Sequence, residues 1–179
     1  MANEVKSEIN QYLTFILDSE VYALDIKQVR EVLDFSDITK VPRMPDFMRG
    51  VINLRGGVVP VVDLRMKFGL GRTEKTVDTC IIIIEVILEG ERALMGALAD
   101  SVQEVLDLDH NQIEPPPKIG TRLKTDFIRG MGKKNDRFII ILEIDRIFSS
   151  DELSKISQAE SDLEDTRQEA GDEDAAARV

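Results

Sequence analysis

Between residues 11 and 148, apolar side chains fall into short runs separated by polar or glycine-bearing breaks, which is the pattern of strands joined by tight turns. Tyr12–Leu17 and Val21–Leu24 flank Asp18-Ser19-Glu20, and Val51–Leu54 and Val58–Val62 flank Arg55-Gly56-Gly57. In the second break two adjacent glycines are expected to supply the positive φ of a hairpin turn. Cys80–Leu88 and Arg92–Leu98 flank Glu89-Gly90-Glu91, and Phe138–Ile144 follows Lys133-Lys134-Asn135-Asp136. Strands of this kind, rich in β-branched residues, predict an all-β chain built from small barrels or a sandwich.

Helical signals are short. Asp25–Val32 has apolar residues at helical spacing over barely two turns, so a helix passing into a strand is expected there. Single turns are expected at Asp46–Arg49 and Asp63–Phe68. Asp151–Ile156 starts with an aspartate and offers Leu153 and Ile156 to dock on the body. From Gln158 to Val179 no apolar stripe is sustained, which predicts disorder or a frayed helix.

The chain also resembles itself. Val29-Arg30-Glu31-Val32-Leu33-Asp34 returns as Val102-Gln103-Glu104-Val105-Leu106-Asp107, and Phe47-Met48-Arg49-Gly50 returns as Phe127-Ile128-Arg129-Gly130. The second match runs on without a gap: Val58–Val62 falls on Phe138–Leu142, Asp63 on Glu143 and Phe68 on Phe148. Tyr12–Leu17 has its counterpart in Cys80–Leu88. Two matches in one order predict duplication of a domain-sized unit, split near residues 70–78 into subdomains of about 11–75 and 76–150. Units of roughly 70 residues bury little apolar surface alone, so the two are expected to share a core and leave a groove between them.

Composition narrows the function. The 179 residues are 42% hydrophobic and 32% charged, as in an ordinary globular protein. The N-terminal sequence has no apolar signal segment, and the longest apolar run, Cys80–Leu88, is too short for a bilayer, so a cytoplasmic protein is expected. The single Cys80 excludes an internal disulfide and reads as a buried thiol. Net charge is −11, and residues 151–179 hold ten acidic and three basic residues. Such acidity disfavours nucleic acid as a partner. The acidic tail reads as a solvated end.

Catalytic patterns are missing from the sequence. His110 is the only histidine and lies in a polar turn, so no metal centre is expected. Gly69-Leu70-Gly71 and Gly132-Lys133-Lys134 lack the remaining residues of phosphate-binding loops, and no cofactor is expected. Two charges embedded in apolar strand sequence stand out, Glu31 and Arg55. Either each faces solvent, or a half-buried carboxylate meets the planar guanidinium fork. In the repeat Glu104 mirrors Glu31, but Asn135 mirrors Arg55, which confines such a pair to the first unit.

The stretches Y-A-L-D-I-x-x-V-R-E-V from Tyr22 and P-D-F-M-R-G-V-I-N-L-R-G-G-V-V-P-V-V-D-L-R-M-K-F-G from Pro45 to Gly69 resemble the CheW-type chemotaxis coupling proteins. The likeness continues through G-A-L-A-D-S-V-Q-E-V-L from Gly96, N-Q-I-x-P-x-P from Asn111 and F-I-R-G-M-G from Phe127, and covers residues 11–150. The resemblance implies two SH3-like five-stranded β-barrels, followed here by an acidic tail over 151–179. It implies a non-enzymatic adaptor that bridges the cytoplasmic tip of a chemoreceptor and the regulatory domain of the histidine kinase CheA. Such a protein is a monomer when free and is recruited to membrane-associated receptor arrays without entering the membrane. By motif position, the receptor groove would involve Val29, Glu31, Val32, Gly50 and Arg55, with Val102 and Val105 from the second unit; Gly50 is expected to let backbones approach closely, to make a tight turn, or both. The kinase-facing surface would involve Ile113, Glu114, Lys118 and Ile119, with outer strands of the first unit. An adaptor of the same fold serving surface motility or second-messenger control is the alternative.

Overall fold

The computed structural model describes residues 9–116 and 127–158. It is all-β. The strands are β1 (Ile9–Leu17), β2 (Glu20–Asp25), β3 (Val29–Asp34), β4 (Met48–Leu54), β5 (Gly57–Asp63), β6 (Cys80–Leu88), β7 (Glu91–Ala99), β8 (Ser101–Asp109), β9 (Ile113–Glu114), β10 (Ile128–Lys134) and β11 (Arg137–Leu142). A one-turn helix, α1 (Leu64–Lys67), follows β5, and residues 150–158 form a second helix, α2.

Each of the four expected hairpins turns on two residues, both with positive φ: Asp18-Ser19, Arg55-Gly56, Glu89-Gly90 and Asn135-Asp136. Turns of this type follow the right-handed twist of the flanking strands. The glycine pair is therefore not the second turn. Arg55 (φ 49°) and Gly56 (φ 85°) make it, and Gly57 opens β5. Two helical expectations also shrink. Asp25–Val32 holds only a 3-10 turn at Ile26–Gln28, capped by the Asp25 carboxylate, which accepts from the Lys27 amide at 3.0 Å. Beyond it, the β-branched Val29 and Val32 favour the strand. At Asp46–Arg49 no helix forms: the Met48 amide bonds back to Pro45 O at 2.9 Å, and β4 begins at once. Asp63–Phe68 does turn helical, with the Asp63 carboxylate capping α1.

The strands form two sheets, ordered β8-β1-β2-β11-β10-β9 and β3-β6-β7-β5-β4. Written through the internal repeat, the first five strands of one order are the other, so the fold is two SH3-like five-stranded units, one extended by the two-residue β9. The units do not follow the cut near residues 70–78. Each takes its first hairpin from the opposite half of the chain: β1-β2 pair with β8 and β11, and β6-β7 pair with β3 and β5. A division into residues 11–75 and 76–150 is thus corrected by strand pairing.

The registers repeat as well. Val32 faces Ile82 as Val105 faces Leu13, and Val61 faces Gly96 as Ile141 faces Ala23. Arg49 and Arg129 occupy the same bulge opposite β5 and β11. There Arg49 bonds Asp63 at 3.1 Å, and Arg129 grips Glu143 at 2.9 and 3.2 Å.

Each unit has its own small core, one around Ile81, Ile83 and Val61, the other around Tyr12, Leu106 and Ile141. A larger core between the sheets joins them and includes Phe15, Leu24, Ile82, Ile84, Met95 and Leu142. This third core supplies the burial that neither unit reaches alone. α2 belongs to it, because Ile156 is fully buried there and Leu153 packs beside it. The body thus runs past residue 150, to at least residue 158. The cap of α2 is Ser149, not Asp151. Its hydroxyl accepts from the Glu152 amide at 3.2 Å, and the Glu152 carboxylate accepts from the Ser149 amide at 2.8 Å. Lys67 of α1 reaches the same carboxylate at 2.7 Å. The expectation for the chain after Gln158 lies outside the described residues.

Candidate binding site on the edge strands

β3 and β8 stand at the outer edge of their sheets, so one side of each backbone is unpaired within its sheet. They are repeat mates, and they hold five of the seven receptor-groove residues singled out by sequence.

A bulge in β3 falls at Arg30, where the register against β6 skips from Val29–Ile84 to Glu31–Ile83. Val29 packs half-buried on the shared core, and Glu31 is also half-buried. The β4–β5 turn brings Arg55 to that carboxylate. Its Nη1 donates to Glu31 Oε1 at 2.7 Å and its Nη2 to Oε2 at 2.9 Å, the planar two-bond geometry that only arginine offers. These bonds hold the Glu31 carboxyl below its usual range. In the second unit Asn135 gives no such grip, yet Glu104 is not alone. Lys134, one residue earlier, lies 3.5 Å from it.

The valines sort into repeat-related pairs. Val29 and Val102 are half-buried at the rim of the shared core. Val32 and Val105 are exposed, at 43% and 47%. Few large apolar side chains among the described residues are so exposed, and repeat mates sharing that exposure set these two apart.

Gly50 does not line a surface. It is buried, its φ is +142°, and a Cβ there would lie far inside the 3.0 Å that real Cβ atoms keep from Thr39 O, and just inside it from the Ile38 side chain. Thr39 and Val51 exchange two backbone bonds of 2.9 Å across this point, so Gly50 lets the Ile38–Thr39 segment close on β4. It serves the close backbone approach expected of this glycine, from beneath the surface. Gly130 repeats it under Ile113 and Glu114. Those two residues form β9, with Ile113 half-buried and Glu114 exposed. Lys118 and Ile119 lie outside the described residues.

Three charged residues were missed. Arg30, thrown outward by the bulge, pairs with Glu85 of β6, and Arg92 of β7 lies 3.5 Å from the same carboxylate. With Glu31 and Arg55 they line a groove of about 590 Å³, floored by Ala93 and Leu94. The one trace in the sequence is Glu85 itself, a lone carboxylate inside Cys80–Leu88. The bulge that delivers Arg30 to it depends on pairing partners that hydrophobic periodicity does not reveal.

Among the described residues no group of three or more His, Cys, Asp or Glu side chains could hold a metal ion, and no helix is long and apolar enough to cross a membrane.

The profile of the CheW-like domain family matches residues 11–152. The chemotaxis protein CheW of Klebsiella aerogenes is 34% identical over 146 residues, covering 82% of this chain and 86% of that one. The CheW of Thermotoga maritima is 34% identical over 140 residues, covering 76% and 86%. The crystal structure of the scaffolding protein TtCheW from Thermoanaerobacter tengcongensis superposes with a TM-score of 0.72 at 40% identity, covering 81% of this chain and 96% of that one. With matched edge strands, doubled registers and relatives aligned over most of their length, the chain belongs to the CheW-like domain family of chemotaxis scaffold proteins.

Proposed function

We propose that this chain couples the cytoplasmic tips of chemoreceptors to the histidine kinase CheA by binding alone, with no chemical step of its own. The observation that carries this reading is the pair of repeat-related valines, Val32 and Val105, exposed on two edge strands, the first of which also carries Glu31 in a preformed pair with Arg55. A receptor tip is a helical hairpin, and a helix docks by laying apolar side chains on an apolar surface. Valines present fixed shapes at small rotamer cost. The ion pair offers a fixed charge pattern that sets the register of an incoming helix. Binding receptor and kinase on one body raises their effective concentration and fixes their mutual orientation. The names of the relatives, chemotaxis proteins and a scaffolding protein, support the same reading.

The test is reconstitution. A receptor cytoplasmic fragment and CheA are assembled with and without this chain, and kinase phosphorylation is followed. Receptor-dependent stimulation only when the chain is present supports coupling. Equal phosphorylation in both samples, with no ternary complex on gel filtration, rejects it.

A further inference from the structure

The Arg30–Arg55–Arg92 groove continues toward the C-terminal end of α2. A second groove of about 410 Å³ shares Arg92, Ala93 and Leu94 with the first, and Ser157 of α2 forms part of its wall. The chain therefore leaves α2 beside the β7 residues Arg92, Ala93 and Leu94 that the two grooves share. The sequence beyond α2 is strongly acidic: residues 159–179 hold eight Asp or Glu and two Arg.

The three arginines are the outward charges of the first groove, and the second adds one exposed carboxylate, Glu91, beside Arg92. Their side chains are 57%, 74% and 83% exposed for Arg30, Arg55 and Arg92, whereas Glu31 and Glu85 beneath them are 26% and 18% exposed. Each guanidinium has five N–H donors, and Arg55 spends two on Glu31 while Arg30 gives one to Glu85. Donors remain for further carboxylates. Reach is ample, because the 21 residues from 159 to 179 span up to about 70 Å when extended.

We propose that the acidic segment 159–179 folds back onto the Arg30–Arg55–Arg92 groove of its own chain and shields Arg55 from partners. It is a built-in competitor, with acidic peptide as the ligand class of the groove. The docking stands on its own observations; the competition rests on the coupling function proposed above. A tail docked for 50% to 90% of the time lowers apparent partner affinity by about twofold to tenfold.

The experiment uses the full chain with a nitroxide on Ala176→Cys. Cys80 stays unlabelled, because it is buried and burial pushes its thiol pKa up. Low salt should broaden the amide signals of Ala93 and Leu94. The broadening should fade in about 1 M NaCl, where screening acts within about 3 Å, and in Arg92→Glu. No localised broadening, or broadening carried between labelled and unlabelled chains in a mixed sample, overturns the proposal. Replacing the eight tail carboxylates by amides in the full chain should tighten a receptor-tip fragment twofold or more, and unchanged affinity overturns the competition. A chain that shows the broadening yet binds no receptor fragment leaves the docking standing and removes the coupling.

Discussion

Arg55 is held in a left-handed turn conformation, φ 49°, and from there it closes two bonds on Glu31, a residue 24 positions earlier in another strand. The turn sets the angle of the arginine, and the half-buried carboxylate sets its target. Arg55 is largely exposed, so the pair adds little to stability, and its weight under the proposed function falls on partner binding. Glu31→Arg or Arg55→Glu alone should weaken a receptor-tip fragment roughly tenfold, since each leaves two like charges face to face. The double exchange should recover part of that loss. Titration calorimetry over the four-member cycle checks this, and strictly additive losses would reject the pairing as a functional unit.

Gly50 and Gly56 both have positive φ, but only Gly50 is crowded. A side chain at Gly50 meets the Thr39 backbone, whereas nothing lies within 4 Å of a Cβ at Gly56. Gly50→Ala should therefore cost about 3 kcal/mol or more, with backbone strain and overlap added together. Gly56→Asn should cost less than about 1 kcal/mol, because asparagine tolerates the left-handed region. Urea unfolding of both variants separates the two. A Gly50→Ala protein of wild-type stability would contradict the crowding against Thr39.

The contrast shows what could be read in advance. Hairpins, strand identities and the duplication all come from local pattern, and each has its counterpart in the structure. The Glu31–Arg55 pair was legible because a charge in apolar sequence demands a partner. The exchange of hairpins between halves was not legible, since a strand's periodicity says which face is buried but not which strand lies beside it. The same gap hid the meeting of Arg30 with Glu85, which depends on the pairing of β3 with β6 and on the β3 bulge. Gly50 was legible as a close approach of backbones, but not which segment approaches, since Ile38 and Thr39 carry no pattern that points to β4.

Arg129 grips Glu143 at 2.9 and 3.2 Å and also reaches Asp25 at 3.2 Å. The Arg129 guanidinium holds the Glu143 carboxyl below its usual range, against a smaller upward push from burial. A carboxyl depressed in the folded state adds stability that is present above the ordinary carboxylate pKa. That stability is lost as pH falls through the folded value. Glu143→Gln should thus cost about 1 kcal/mol at pH 7, discounted for the solvent around the pair. The difference from wild type should close below about pH 4. Melting temperatures across pH 7 to pH 3 test the sign, and a gap that widens in acid would contradict it.

Ile156 ties α2 into the core between the sheets, with no exposed surface. Ile156→Ala removes its buried methyl groups from a packed site and should destabilise the chain by about 2–5 kcal/mol. Lys67→Ala, which removes the clasp on Glu152, should cost only about 1 kcal/mol. Amide exchange at residues 150–158 should accelerate first in Ile156→Ala. Unchanged exchange would mean that the ion pair and cap, not the core contact, hold the helix.

Val32 and Val105 are exposed, and no packing argument explains valine at both repeat positions. Substitution by lysine should leave stability within about 0.5 kcal/mol, as surface changes do. The same change places a hydrated ammonium where an apolar helix face is to dock, so receptor-tip affinity should fall about tenfold or more for either variant. Retained affinity in both, with native melting curves, would show that partners reach this chain by another face. A loss in Val32→Lys alone would show that only the first unit's edge strand contacts the receptor, although its repeat mate offers the same exposed valine.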